Sequence, residues 1–223
     1  MKRNLFGSVL AILLLAGCAD PAENVPKASV STNSTASADA ASSAGDGAKA
    51  AATASNPAAG AKAYAITPEN SKVEFTGSKV TGKHDGGFKQ LQGEVHVAGT
   101  AVQHAKVTIQ TDSLHSDNDR LTGHLKSPDF FDTAKYPTAV FETTSITGSG
   151  ANATVKGKLT LHGETKEISF PANIEVKDDA VTVKAEFSIN RHDFNMKYAG
   201  KADDLIRDMV VLRLDVKATP KQA

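Results

Sequence analysis

The stretch VTVKAEFSIN, residues 181–190, alternates apolar and polar side chains over its whole length. Successive side chains of a β-strand point to opposite faces, so this alternation predicts a strand with one buried face. The same alternation recurs in residues 73–75, 91–97, 105–109, 139–143, 155–161, 168–176 and 210–217. The sequence therefore predicts eight half-buried strands.

The connections between these stretches indicate how the strands are arranged. No helical pattern of 10–15 residues separates them, which argues against parallel βαβ units. One helical turn is predicted at residues 127–131, where Ser127 can cap the turn and Pro128 suits its first position. Eight strands with one apolar face predict an all-β antiparallel fold, either a closed barrel or a two-layer sandwich.

Small residues on the apolar faces favour the barrel. An eight-stranded barrel has an interior that either packs solid or holds one small ligand. Small inward side chains leave volume unfilled and predict an apolar cavity; they are Gly77, Gly93, Ala105, Ala139, Gly157, Ala172 and Ala185. The alternative is that the glycines mark bends or bulges and that larger neighbours fill the space.

The first 18 residues have the pattern of a lipoprotein export signal. Lys2 and Arg3 precede an apolar segment, residues 5–16, which as a helix would reach about 18 Å and could not cross a bilayer core of about 30 Å. The sequence LAGC then ends at Cys18, the single cysteine of the chain. It resembles a bacterial lipobox, which implies cleavage before Cys18 and acylation of that residue. An ordinary signal peptide with an incidental cysteine is the alternative.

We therefore expect a periplasm-facing lipoprotein of the bacterial cell envelope, anchored to a membrane through acylated Cys18. Ala19, rather than aspartate, follows the cysteine and favours the outer membrane. Stable anchoring of this kind needs more than one acyl chain.

The predicted domains are a signal peptide (1–17), a flexible, lipid-anchored, Ala/Ser-rich linker (18–62) and a barrel domain (63–223). Positions 19–62 contain no Leu, Ile, Met or aromatic residue, so they cannot bury enough apolar surface to offset chain entropy. The formal net charge of the whole chain is zero, which leaves no broad field to attract nucleic acid.

Three stretches of the barrel domain carry a resemblance to a known family. They are RLTGHLKSPDFFD (120–132) with YPTAVF (136–141), VKGKLTLHG (155–163) and FSINRHDF (187–194). Together they resemble the YceI-like family of bacterial periplasmic proteins, over roughly residues 63–218. The chain departs from the family pattern at Asn195-Met196, where Gly-Met is usual, and at Leu121, where many members have aspartate after the arginine.

The resemblance implies a lipocalin-like antiparallel barrel that holds a long isoprenoid or other amphiphilic chain, without established catalytic residues. We therefore expect a binding protein for an isoprenoid-like or fatty amphiphile, serving transport, storage or scavenging. The candidate ligand-binding residues are Arg120, Leu121, His124, Leu125, Phe130, Phe131, Phe141, Phe187, Arg191 and Phe194.

Each polar candidate has a structural alternative. Arg120 and Arg191 could bind a carboxylate or phosphate head group, or could pair with Asp119, Asp193 or Asp208. His124 could donate a hydrogen bond at the cavity mouth, or could satisfy backbone groups. The phenylalanines could line the cavity or fill the core.

Other chemistries find little support in the sequence. The seven histidines match no metal-binding spacing, and a calcium loop starting at Asp117 fails because Thr122 and Pro128 occupy its glycine and glutamate positions. No Gly-x-Ser-x-Gly elbow occurs, and we expect no metal, no cofactor and no catalysis.

Two rival functions stay open: an enzyme that acts on a bound lipid or quinone through His124 or Arg191, and a structural or stress-related envelope protein with a solid core. A homodimer is left open beside a monomer.

Overall fold

A computed structural model of the protein describes residues 19–31 and 60–221. The predicted signal peptide, Cys18 and most of the predicted linker lie outside the described residues. The described chain consists mainly of β-strands with one α-helix and two short 3-10 helices. The elements are β1 (Ser29–Ser31), β2 (Lys62–Ile66), β3 (Ser71–Lys79), β4 (Gly82–Phe88), β5 (Leu91–Ala98), β6 (Ala101–Gln110), β7 (Leu114–Ser116), α1 (Asp119–Lys126), β8 (Thr138–Thr147), β9 (Gly150–Leu161), β10 (Glu164–Val176), β11 (Val181–Asn190), β12 (Gly200–Lys201), β13 (Asp204–Leu205) and β14 (Met209–Pro220), with 3-10 helices at Thr111–Ser113 and Arg191–Phe194.

Eight antiparallel strands close into a ring, in the order β11, β14, β2, β5, β6, β8, β9 and β10. The predicted eight-stranded antiparallel barrel is therefore confirmed. The sheet also forks at β14. Its residues Val211–Val216 pair with β3, which leads through β4 to β7, whereas Thr219 and Pro220 pair with β2.

The helix lies earlier in the chain than the sequence predicts. It spans Asp119–Lys126, and residues 128–131 form a turn after it. Asn118 caps the helix, since its side-chain oxygen accepts a hydrogen bond from the Leu121 amide at 3.0 Å. Pro128 therefore follows the end of the helix. The prediction of a helical turn at residues 127–131 is wrong because it placed Pro128 in the first position of the helix.

Residues 19–31 form an ordered strap across the barrel wall, which we call the N-terminal strap. Strands β10 and β11 pair only near their shared turn, over Asn173–Val176 and Val181–Lys184. Beyond that point the strap lies between them: β1 pairs with β10, and the amide of Ala28 donates to the carbonyl of Ser188 at 2.9 Å. The strap thus satisfies backbone groups that the separated strands would otherwise leave without partners.

The prediction of a flexible linker is therefore wrong for residues 19–31. Low apolar content does limit burial of side chains, but backbone hydrogen bonds to an open pair of strands do not depend on it. Ala28, only 2% exposed, also packs into the core beneath the strap.

The two ends of the barrel differ in how they are filled. At the end where β11 begins, side chains pack into a solid cluster that includes Tyr64, Val95, Val181 and Ala218, all nearly inaccessible to solvent. The Tyr64 hydroxyl donates to the carbonyl of Lys177 at 3.3 Å and covers that end. The interior opens towards the other end.

Candidate ligand-binding cavity

An apolar cavity of about 300 Å³ occupies the end of the barrel where β11 ends and β14 begins. Its walls are inward apolar residues of the strands, namely Val73, Phe75, Phe88, Ile109, Ala139, Leu159, Leu161, Ile189, Val210 and Leu212. Its mouth is formed by residues of α1 and of two loops, namely Leu121, Leu125, Phe130, Phe131, Met196 and Ile206. A lining of this kind suits an aliphatic or isoprenoid chain.

The polar part of the cavity lining is basic. Its ionisable members are Lys79, His84, Arg191 and Arg207, and none of the described residues that line the cavity is acidic. Each of these groups has a carboxylate outside the lining as its partner. Asp204 contacts Lys79, and Asp117 lies 3.0 Å from His84. Asp208 lies 3.6 Å from Arg191, and Asp20 lies 3.3 Å from Arg207. The cavity therefore combines an apolar interior with a mouth that suits an anionic or strongly polar head group.

Arg191 is the buried polar centre of the mouth, with 4% of its surface exposed. Its guanidinium donates three hydrogen bonds to backbone carbonyls, from Nε to Arg207 (3.0 Å), from Nη1 to Met196 (2.7 Å) and from Nη2 to Ile206 (3.2 Å). These bonds fix the loop of residues 195–208 over the cavity.

Burial lowers the pKa of Arg191, and the carboxylate of Asp208, 3.6 Å from Nη2, partly offsets this effect. A guanidinium carries five N–H groups, so two of them make no hydrogen bond to the described residues. Arg191 thus has a structural role at the cavity mouth.

An aromatic cluster joins α1 to the 195–208 loop. The rings of His124, Phe130 and Tyr198 pack edge to face in pairs, with centroids 5.1–5.3 Å apart. His124 Nε2 also lies 2.8 Å from Oδ2 of Asp129. His124 therefore supports the mouth from behind Phe130 and is not itself part of the cavity lining.

Half of the predicted ligand-binding residues line the cavity and half do not. Leu121, Leu125, Phe130, Phe131 and Arg191 line it. The other five lie elsewhere: Arg120 on the exposed face of α1, His124 behind Phe130, and Phe141, Phe187 and Phe194 in the packed core. The Phe187 ring stacks on the Phe170 ring with their centroids 4.1 Å apart, and Phe194 is fully buried.

Of the inward glycines, Gly77 lies at the cavity and Gly157 lies in the packed core. Gly77 lines the cavity, and a Cβ placed there would meet no atom within 4 Å. At Gly157, a Cβ would lie 2.5 Å from the Phe141 ring. The cavity interpretation thus holds at Gly77 and the close-packing alternative holds at Gly157, where an aromatic ring covers the glycine.

Several lining residues were not among the predicted site residues. Val73, Phe75, Ile189 and Leu212 belong to the alternating stretches, so their inward direction was readable from the sequence although their position at the cavity was not. Met196, Ile206 and Arg207 lie in a loop without periodicity. No local pattern could have identified them.

Asn195, where the chain departs from the family pattern, has a left-handed backbone conformation. Asn195 adopts a left-handed conformation with φ of 59° at the end of the 3-10 helix. Asparagine tolerates this region better than most residues. Its side-chain amide also donates to Glu164 Oε1 at 2.6 Å, which stabilises the turn into the 195–208 loop.

The described residues offer neither a membrane-spanning helix nor a metal site. No helix within residues 19–31 and 60–221 has both the length and the apolar character needed to cross a bilayer. The same residues contain no group of three or more His, Cys, Asp or Glu side chains placed to hold a metal ion.

Comparison with known families identifies the fold. The family model for the YceI-like domain matches residues 64–218. The chain belongs to the YceI-like family. Over 103 residues this YceI-like chain is 36% identical to Protein YceI of Escherichia coli O17:K52:H18, an alignment that covers 44% of the chain and 54% of that protein. It is also 36% identical over 124 residues to a UPF0312 protein of Pseudomonas putida F1, an alignment that covers 52% of the chain and 65% of that protein. The chain thus spans about half the length of the curated YceI relatives it matches.

Solved structures support the same fold at lower identity. BcnA of Burkholderia cenocepacia superposes with a TM-score of 0.62 at 23% identity, covering 69% of this chain and 99% of BcnA. A polyisoprenoid-binding domain from Saccharophagus degradans, implicated in plant cell wall breakdown, gives a TM-score of 0.58 at 20% identity, covering 72% and 99%. Both solved structures therefore share the YceI-like fold with this chain.

Proposed function

We propose that the protein binds an isoprenoid-like or other long-chain amphiphile, with the apolar chain in the barrel cavity and the head group at the basic mouth. The observation that carries this proposal is the cavity itself, which is lined by apolar side chains and has basic groups but no described carboxylate in its lining. Burial of each methylene contributes about 0.8 kcal/mol, so a chain gains affinity without any specific polar contact.

The size of the cavity restricts how such a ligand is held. A volume of about 300 Å³ lies at the lower end of the range for ligand pockets. A long isoprenoid would therefore insert one part of its chain and leave the remainder in the mouth, between α1 and the 195–208 loop. The cavity also argues against the alternative of a barrel with a solid core.

The proposed biological role is carriage of this amphiphile in the bacterial envelope, as transport, storage or scavenging. The polyisoprenoid-binding relative supports the ligand class through the shared fold. The proposed location rests on the sequence alone: the export pattern of residues 1–17 and the lipobox-like sequence ending at Cys18. Binding without catalysis is part of the proposal.

The test is to purify the protein from its native membranes and analyse its organic extract by mass spectrometry. We expect a stoichiometric apolar molecule with a polar or anionic head. Denatured protein taken through the same purification controls for lipid carried over from the membrane. An extract that matches this control, together with failure to bind a fluorescent prenyl phosphate and a fluorescent fatty acid, would contradict the proposal.

A further inference from the structure

The exposed apolar side chains of the described residues are concentrated at the cavity mouth. Among residues 19–31 and 60–221, the large apolar side chains that are substantially exposed are Val80 (56%), Leu205 (49%) and Tyr198 (36%). Val80 and Leu205 are neighbours, since the amide of Val80 donates to the carbonyl of Leu205 at 3.2 Å. We call these three residues the mouth surface.

The mouth surface is continuous with the cavity. Leu205 precedes Ile206, which lines the cavity, and the Tyr198 ring packs at 5.3 Å against Phe130, which also lines it. Scattered apolar residues on a surface need no explanation. Here all three lie beside residues of the cavity lining, so they extend its apolar surface outwards.

The N-terminal strap begins at the same end of the barrel as the cavity mouth. Asp20 pairs with Arg207, a residue of the cavity lining, at 3.3 Å. The lipobox-like sequence ends two positions before Asp20 in the chain, and two residues of chain reach at most about 7 Å. Residues 32–59, which the composition predicts to be a spacer, connect the strap to β2 and do not separate the barrel from residue 18.

The opposite end of the barrel lies far from this surface. Strand β11 runs from Val181 to Asn190 between the two ends, and the nine steps between these residues span about 30 Å along the strand. The β10–β11 turn, with exposed Asp178 and Asp179, marks that distant end.

We infer that the mouth surface rests on a lipid bilayer, so that the amphiphile passes directly between the membrane and the cavity. The strap fixes this orientation by holding the anchored N-terminus beside the mouth. The inference deepens the proposed function and rests on it, including acylation of Cys18. The barrel is then seated on the membrane by its open end and is not held away from it by a long linker.

The test uses the full acylated chain in vesicles of phosphatidylethanolamine and phosphatidylglycerol, with a nitroxide label at Val80→Cys or, as the matched control, at Asp179→Cys. Electron paramagnetic resonance compares collisions of each label with oxygen, which concentrates in lipid, and with a water-soluble nickel complex. We expect the oxygen-to-nickel ratio to be several-fold higher at position 80 than at position 179. Equal ratios at the two positions would overturn the inference.

Release of the strap provides a second measurement. Ala28→Glu places a charge at a buried strap position and should abolish most of the difference between the two labels, whereas Ser29→Glu at an exposed strap position should preserve it. A difference that persists in Ala28→Glu would show that the strap does not set the orientation.

A binding assay separates this inference from the proposed function. The non-acylated Cys18→Ser chain is titrated in solution with a fluorescent prenyl phosphate. Binding combined with equal label ratios would refute the membrane-seated orientation alone. Failure to bind combined with a high ratio at position 80 would refute the carrier function alone.

Discussion

Asp20 and Arg207 form an ion pair of 3.3 Å although 187 positions separate them in the chain. Both side chains are partly exposed, so the pair itself contributes less than about 1 kcal/mol. Its importance is positional, because it marks where the N-terminal strap meets the mouth of the cavity.

The strap should detach when its one buried side chain becomes charged. In Ala28→Glu we expect rapid tryptic cleavage after Lys27, because burial of an unpaired carboxylate costs more than the few backbone bonds of the strap return. Mass spectrometry of timed digests measures the cleavage. Ser29→Glu, exposed in the same strap, is the control and should be cleaved as slowly as the wild type. Equal rates for all three proteins would mean that the strap is not held as described.

Arg191 should stabilise the fold through the three carbonyls it binds. Arg191→Met removes these donors and leaves buried carbonyls without partners, so we expect a loss on the order of 3 kcal/mol in the free energy of unfolding. Denaturant titration measures it. Lysine cannot reproduce the three-way geometry of the guanidinium, so Arg191→Lys should rescue little.

Arg120 provides the matched control for Arg191, because it is exposed on α1. Arg120→Met should change the free energy of unfolding by less than about 0.5 kcal/mol. A similar loss in both methionine variants would contradict the stabilising role assigned to Arg191.

Filling the cavity should weaken ligand binding without unfolding the barrel. Gly77→Leu adds a side chain at a lining position where nothing lies within 4 Å. We expect the affinity for a fluorescent prenyl phosphate to fall by about tenfold or more, equivalent to about 1.4 kcal/mol. Gly123→Leu, at an open glycine of α1 that does not line the cavity, is the control. Unchanged affinity in Gly77→Leu would place the ligand elsewhere.

Close packing between Phe141 and Gly157 should make that glycine intolerant of a side chain. Gly157→Ala places a methyl group 2.5 Å from the ring and from the carbonyl oxygen of Glu142, so we expect a destabilisation of about 1–3 kcal/mol by denaturant titration. Gly77→Ala, in open space, should remain close to the wild type. Phe141→Leu should relieve part of the cost in the double variant, because the ring contact is lost and the backbone contact remains.

Glu142 should make the stability of the barrel depend on acid pH. The hydrogen bond from His104, 3.2 Å away, is the main cause that lowers the pKa of Glu142 below its ordinary value of 4.5, and Lys106 adds to it. A carboxylate with a lowered pKa stabilises the fold above about pH 4.5, and this contribution is lost as the pH falls through the folded-state pKa.

The measurement is the free energy of unfolding of wild type and Glu142→Gln between pH 3 and pH 7, an interval chosen around that value. Since Glu142 is nearly half exposed, we expect a difference of less than about 1 kcal/mol at neutral pH that vanishes in acid. In a His104→Ala background the difference should shrink. A constant difference at all pH values would mean that ionisation of Glu142 is not responsible.

The strand pattern of this protein was readable from the chain because it is local. Each of the eight alternating stretches forms a strand of the sheet, and the inward direction of Leu161 or Ile189 follows from a period of two residues. Strand β2 was missed as a separate element although it completes the ring, since five residues give a short pattern that merges with the predicted linker.

The candidate site was only half predictable, for a physical reason. Phe131 and Phe187 are equally apolar in sequence, yet one lines the cavity and the other stacks on Phe170 in the core. Which side chains leave space depends on what faces them from other strands, and that is a property of the closed ring.

The sequence by itself determined the family through its motifs. It also determined the all-β class and the buried face of each strand, because these depend on residue type and on short-range periodicity. Only the tertiary structure decided where the cavity lies, which loop covers it and that residues 19–31 complete the wall. Those features depend on contacts between segments distant in the chain, such as Ala28 with Ser188 and Arg191 with the carbonyl of Arg207. Volume and unpaired backbone groups arise only when the strands have closed, and no local pattern of side chains encodes them.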